Sequence, residues 1–178
     1  MLRTFFAPLF PLALLVGCAS STVAPLASTP NAPAVAIRPA IADGKVLPLP
    51  GFNRGINLGN GLDAPSEGEW GVVLDAKHFE MAKAAGFDHV RLPVRFSAHA
   101  AETAPFAIDV KFFERVDWAL DQAQKQGLNV ILDMHHYNEL MEAPEANSAR
   151  FVGLWQQIAE RYVNRPQSVA FELLNEPC

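Results

Sequence analysis

Four short apolar runs, recurring roughly every forty residues, restrict what this chain can fold into more than any other feature. They are Gly55-Ile56-Asn57-Leu58, His89-Val90-Arg91-Leu92-Pro93-Val94, Asn129-Val130-Ile131-Leu132-Asp133-Met134 and Val169-Ala170-Phe171-Glu172-Leu173-Leu174. The segments between them carry helical period instead: Leu74, His78, Met81, Ala82 and Ala85 in the first, and Phe112, Phe113, Val116, Ala119, Leu120 and Ala123 in the second. Phe151, Leu154, Trp155, Ile158 and Tyr162 mark one face of the third. Gly86 and Gly127 fall just after a helix and just before a strand, where a residue tolerant of positive φ is wanted. Asn164-Arg165-Pro166 stops the third helix by other means.

Strand and helix in strict alternation predict right-handed parallel crossovers. Continuously apolar strands, covered on both faces, suit a parallel sheet. Two architectures fit, an open doubly wound sheet and a closed eight-stranded barrel. The open sheet usually carries a glycine-rich phosphate loop after its first strand. Here that place holds NLGNGLDAPSEGEWG, whose glycines do not match the G-x-G-x-x-G spacing. In the barrel, functional residues gather where strands end. The four runs end in Asn57 and Asn60, in Arg91 and Arg95, in Asp133, His135 and His136, and in Asn175 and Glu176. The expected fold class is therefore α/β, the N-terminal half of a (β/α)8 TIM barrel, in about four βα units.

What precedes the repeat reads differently. Residues 1–17 have a positive start at Arg3 and an apolar stretch from Phe5 to Val16, too short to span a bilayer comfortably. Leu15-Val16-Gly17-Cys18 resembles a bacterial lipobox, which implies cleavage before Cys18 and lipid attached to its sulfur. A plain secretory signal peptide cut near Ala19 is the alternative. Ala19 and Ser20 resemble residues that permit outer-membrane sorting in Gram-negative bacteria. Export is expected on both readings, with membrane attachment through Cys18 on the first. Residues 18–48 are rich in Ala, Pro, Ser and Thr without amphipathic period, as in a flexible tether, and place the domain at 49–178. The chain has two cysteines, so lipidation of Cys18 would leave Cys178 without a disulfide partner. A net charge of -5 with no basic block gives no footprint for nucleic acid.

Each strand-end residue also has a structural reading. Arg91 could be an interior cation paired with Glu172. His135 and His136, if the strand persisted, would project to opposite sides, which disfavours their sharing a metal ion, and either could be a satisfied core histidine. Asn60 and Asp63 could be solvated turn residues, and Trp70 a loop anchor rather than a sugar-stacking platform. Trp118 and Trp155 read as outer-layer packing, and Glu139, Glu142 and Glu145 as a solvated acidic loop. No metal or other cofactor is called for.

Glu176, beside an amide and cut off by Pro177, has the form of a general acid. NEP after the fourth run, with VRLPV in the second, LDMHHYNELM in the third and RGINLGN in the first, strongly resembles the bacterial cellulases of glycoside hydrolase family 5. The resemblance covers Phe52 to Cys178 and implies a retaining (β/α)8 glycosidase acting on β-1,4-linked polysaccharide. It implies Glu176 as acid/base, Asn175 as a hydrogen-bond partner of the sugar 2-hydroxyl, Arg91 as the arginine beneath the nucleophile, and His135 as the third-strand histidine. His136, Asn60 and Asp63 become substrate contacts, although Asp63 stands where related sequences can carry glutamate. A retaining enzyme needs a second carboxylate about 5–5.5 Å from the first. Glu172, four residues back along the strand, would be about 13 Å away. The family draws its nucleophile from a seventh strand, and a complete barrel needs about 250 residues. The sequence is thus expected to be a fragment, inactive and prone to self-association when made alone. Other readings are a surface-anchored carbohydrate-binding protein without catalysis, a β-mannanase of the same family, and a metal-dependent hydrolase using Asp133 and the histidines. The choice among glucan, mannan and xyloglucan stays open, and the resemblance favours endo action.

Overall fold

The computed structural model describes residues 41–42, 45–46, 50–166 and 168–177. The expected signal peptide, Cys18, the stretch read as tether through residue 40 and Cys178 lie outside the described residues. Two short strands, β1 (Ile41–Ala42) and β2 (Lys45–Val46), pair antiparallel within the stretch read as tether. The elements that follow are β3 (Gly55–Asn57), α1 (Ala76–Ala84), β4 (His89–Val94), α2 (Val110–Lys125), β5 (Asn129–Met134), α3 (Asn138–Glu142), α4 (Pro144–Tyr162) and β6 (Val169–Glu172). Strands β3 to β6 form one parallel sheet in chain order, so each helical crossover delivers the chain to the next strand. This is the arrangement of four successive βα units of a (β/α)8 barrel.

Local chemistry explains the boundaries. Asp75 caps α1 by accepting the Lys77 amide, and the His78 ring accepts the Asp75 amide in return, a reciprocal box. Asp109 caps α2 through the Phe112 amide, and Pro144 opens α4 where its missing N–H costs nothing. Gly86 and Gly127 turn the chain out of α1 and α2 at φ +83° and +63°, the left-handed region expected of them. The acidic segment after β5 is helical rather than a loop, although Glu139 and Glu145 are exposed and Glu142, also exposed, is the last residue of α3.

The core lies between sheet and helices. Val90, Leu92 and Val94 of β4 register with Val130, Leu132 and Met134 of β5, and all six are buried. Against them pack Phe112, Phe113, Val116, Ala119, Leu120 and Ala123 of α2, the stripe the period predicts, together with Leu154, Ile158 and Tyr162 of α4. Each large side chain so buried contributes about 1.5–3 kcal/mol. The α1 stripe differs from expectation: Phe79 and Ala82 are buried while Met81 is 68% exposed. Phe79 wins because it meets the edge of Trp118 on α2, 6.1 Å between ring centroids. Trp155 on α4 hydrogen-bonds the Leu173 carbonyl and meets Phe171 edge-on, so both helix tryptophans are packing residues.

The expectation of strands apolar on both faces is corrected. On the face turned away from the helices, the sheet carries Asn57, Arg91, Asp133 and Glu172, joined side chain to side chain. Pro93, Ile131 and Ala170 share that face and fill the positions between the helix-facing residues, which makes the runs look continuous in sequence. Ile56 on β3 and Phe171 on β6, the outer strands, are 37% and 43% exposed.

Candidate active site

Arg91 organises the polar face. Its Nε and Nη2 donate to the two oxygens of Glu172, both at 2.7 Å, and Nη1 donates to Asn57 Oδ1 at 3.1 Å. Nη2 also reaches Asp133 Oδ2 at 2.9 Å and Asn175 Oδ1 at 3.0 Å. One guanidinium, carried inside β4, thereby joins residues at or near the ends of β3, β5 and β6, which a lysine's point charge could not do. The pairing of Arg91 with Glu172 is as the sequence suggests. The fork holds the Glu172 carboxyl below the ordinary glutamate range. Asp133, fully buried, goes the other way: burial pushes its pKa up, against the pull of His135 and Arg91.

That network fixes two side chains by their donor and acceptor roles. Asn175 accepts from Arg91 through Oδ1, so its NH2 is the end left to donate elsewhere. Its backbone N–H donates to the Met134 carbonyl at 3.0 Å, locking the segment after β6 onto β5. His135 bonds Asp133 through Nδ1, and a carboxylate can only accept, so Nδ1 carries the proton and Nε2 is the nitrogen left to meet another group.

His136 departs from expectation. Strand β5 ends at Met134, and His136 takes φ +53°, so the two rings meet edge to face with centroids 4.3 Å apart instead of diverging. Burial, with His135 beside it, lowers the His136 pKa. Asp63 is not a solvated turn residue but 4% exposed, and its carboxylate, His135 and His136 bring ligand atoms within 4.8 Å of one another. Glu176 is exposed just past β6, and its charge acts on both Arg91 and His136. Asn60 is exposed on the loop after β3. Among the described residues, four non-glycine residues have positive φ, and three of them are Asn60, His136 and Glu176. Backbone held in this region costs of order 1–3 kcal/mol and gathers where side chains are aimed for a task.

Two supports have no counterpart among the sequence expectations. Arg150 on α4 is buried and donates to the Ser97, Ala100 and Ala101 carbonyls, while its guanidinium lies against Tyr137. It therefore ties the segment after β4 to the segment that follows the histidines. Glu67 accepts the Leu74 amide at 2.8 Å and a fork from Arg115 of α2, bracing the loop that carries Trp70. Trp70 is 41% exposed and stands edge-on to His136 at 5.4 Å. A single arginine within a helix gives no periodic signal, so neither brace shows in the sequence pattern.

A parallel βα sheet with polar and charged groups gathered where its strands end is the arrangement of the functional face of a (β/α)8 barrel. The chain belongs to the cellulase family, glycosyl hydrolase family 5, which residues 44–178 match. Endoglucanase H of Acetivibrio thermocellus is 41% identical over 123 residues, covering 69% of this chain and 14% of that protein. Endoglucanase B of Clostridium cellulovorans is 33% identical over 129 residues, covering 69% of this chain and 29% of its own. Among solved structures, Cel5A of Thermotoga maritima in complex with mannotriose is 50% identical with a TM-score of 0.70. That match covers 71% of this chain and 41% of the other, so the chain spans less than half the length of these relatives.

Proposed function

We propose that this chain forms the acid/base half of a retaining endo-β-1,4-glycanase cleft. Glu176 protonates the glycosidic oxygen as the bond breaks and then deprotonates the water that releases the sugar. Asn175 donates its amide N–H to the 2-hydroxyl of the sugar being cleaved, and Nε2 of His135, with His136, Asn60 and Asp63, contacts the same polymer. Trp70 offers an aromatic face beside them. The single observation that carries the reading is the Arg91 guanidinium, which ties Asn175, just before Glu176, to Asn57, Asp133 and Glu172 of the other three parallel strands.

The attacking carboxylate comes from outside these four βα units. Glu172 is engaged with both oxygens by Arg91, and Asp133 is buried between Arg91 and His135, so neither is offered to an anomeric carbon. On this reading the four βα units by themselves would not complete the reaction. Cel5A of Thermotoga maritima has been solved with cellobiose and with mannotriose, which supports glucan and mannan as the substrate class. Export with a lipid anchor at Cys18 belongs to the same proposal and rests on the lipobox-like sequence.

The test joins this chain to the rest of a family barrel and replaces Glu176 with Ala. Hydrolysis of cellulose derivatives should fall about 10²–10⁴-fold, the usual contribution of general acid/base catalysis. An aryl cellobioside whose leaving group needs no proton should lose far less in its first step, and added azide should trap the glycosyl-enzyme as a β-glycosyl azide. Full activity in Glu176→Ala, or no azide product, would overturn the assignment.

A further inference from the structure

The structure assigns to Asp63, His135 and His136 a second capacity: we propose that they bind one divalent ion of borderline softness, Zn2+ foremost, at the mouth of the cleft. Their ligand atoms already lie within 4.8 Å of one another. A tetrahedral ion with bonds of about 2.0–2.2 Å sets its ligand atoms about 3.4 Å apart, so modest side-chain rotation closes the three onto a metal. His135 has the arrangement that metal-bound histidines favour, with Nδ1 held by a carboxylate, here Asp133, which leaves Nε2 as the nitrogen for an ion. The independent observation is Asp63. It is 4% exposed, and its Oδ1 is buried with no hydrogen-bond partner among the described residues. A buried carboxylate oxygen without a donor is costly, and a cation would satisfy it.

The donor set selects the metal. Two imidazoles and one carboxylate suit Zn2+, Co2+, Ni2+ or Cu2+, whereas Mg2+ and Ca2+ demand oxygen. The field is mixed. Asp63 and Glu176 favour positive charge at His136, and His135 and Arg95 oppose it. The ion has no role in the chemistry proposed for Glu176. It would stand where the glycan contacts are, so on that reading it excludes the polymer.

The test uses the full chain with both cysteines replaced (Cys18→Ser, Cys178→Ser), titrated with Zn2+ by calorimetry and with Co2+ by visible absorption. One equivalent should bind, with tetrahedral cobalt bands, and Mg2+ should not compete. Asp63→Asn and His136→Gln should each weaken uptake at least tenfold, His136→Cys should keep it, and the distant His78→Gln should change nothing. Unchanged affinity in both Asp63→Asn and His136→Gln, or equal loss in His78→Gln, would overturn the site. In the completed barrel, intact Zn2+ uptake that cellotetraose does not displace would refute the glycan contacts and leave the ion site standing.

Discussion

Replacing Arg91 with Met removes the cation shared by Asp133, Glu172, Asn57 and Asn175 while keeping an unbranched chain of similar reach. The cost can be worked contact by contact. Asp133 is 0% exposed, so stripping its partner resembles breaking a buried ion pair, about 3–5 kcal/mol. Glu172 is 35% exposed, and its loss adds about 1 kcal/mol at most. Asp133 can escape part of the penalty by taking up a proton, because burial already raises its pKa. The expected loss near neutral pH is therefore about 3 kcal/mol, a large share of the stability of an ordinary domain. The sign follows: an acid whose folded pKa is raised destabilises the fold while ionised, so the Arg91→Met deficit should shrink as pH falls through that raised value. Urea unfolding followed by tryptophan fluorescence measures it. Adding Asp133→Asn to Arg91→Met should recover most of the loss. A deficit below about 1 kcal/mol, or no recovery in the double variant, would refute the view of Arg91 as the hub of a buried network.

Two further outcomes are expected. Glu172 has a lowered pKa, so its contribution is fully present above the ordinary glutamate value of 4.5 and is lost as pH falls through the folded value; in Glu172→Gln that part of the acid-side decline should vanish from a stability-against-pH curve. Arg150→Leu leaves the Ser97 and Ala100 carbonyls without their donor and should lower stability by about 3 kcal/mol in urea titration, with hydrogen exchange quickening first in the segment 96–101.

The α/β alternation is legible in the sequence because period and punctuation agree, as the α2 stripe and the glycines at 86 and 127 show. Met81 and Phe79 show where periodicity fails: two candidate stripes overlap, and only the position of Trp118 on another helix decides between them. The polar sheet face is half hidden, since Arg91, Asp133 and Glu172 sit singly inside apolar runs and declare their partnership only across strands. The pairing of His135 with His136 is hidden for a backbone reason. Strand alternation separates neighbours, and nothing in HHYNELM announces that the strand stops at Met134 and the second histidine turns left-handed. Asp63 resembles a turn residue in sequence because its burial depends on the fold of the whole loop.

The brace on the Trp70 loop has one more consequence. Arg115 grips Glu67 and the Leu74 carbonyl at once and lies 3.9 Å over Trp118, so the loop is fastened to an outer helix. A sugar ring stacking on Trp70 would meet a wall already standing, and little freedom would be left to surrender on contact. Glycan affinity would then answer to a residue on the far side of the loop that never touches carbohydrate.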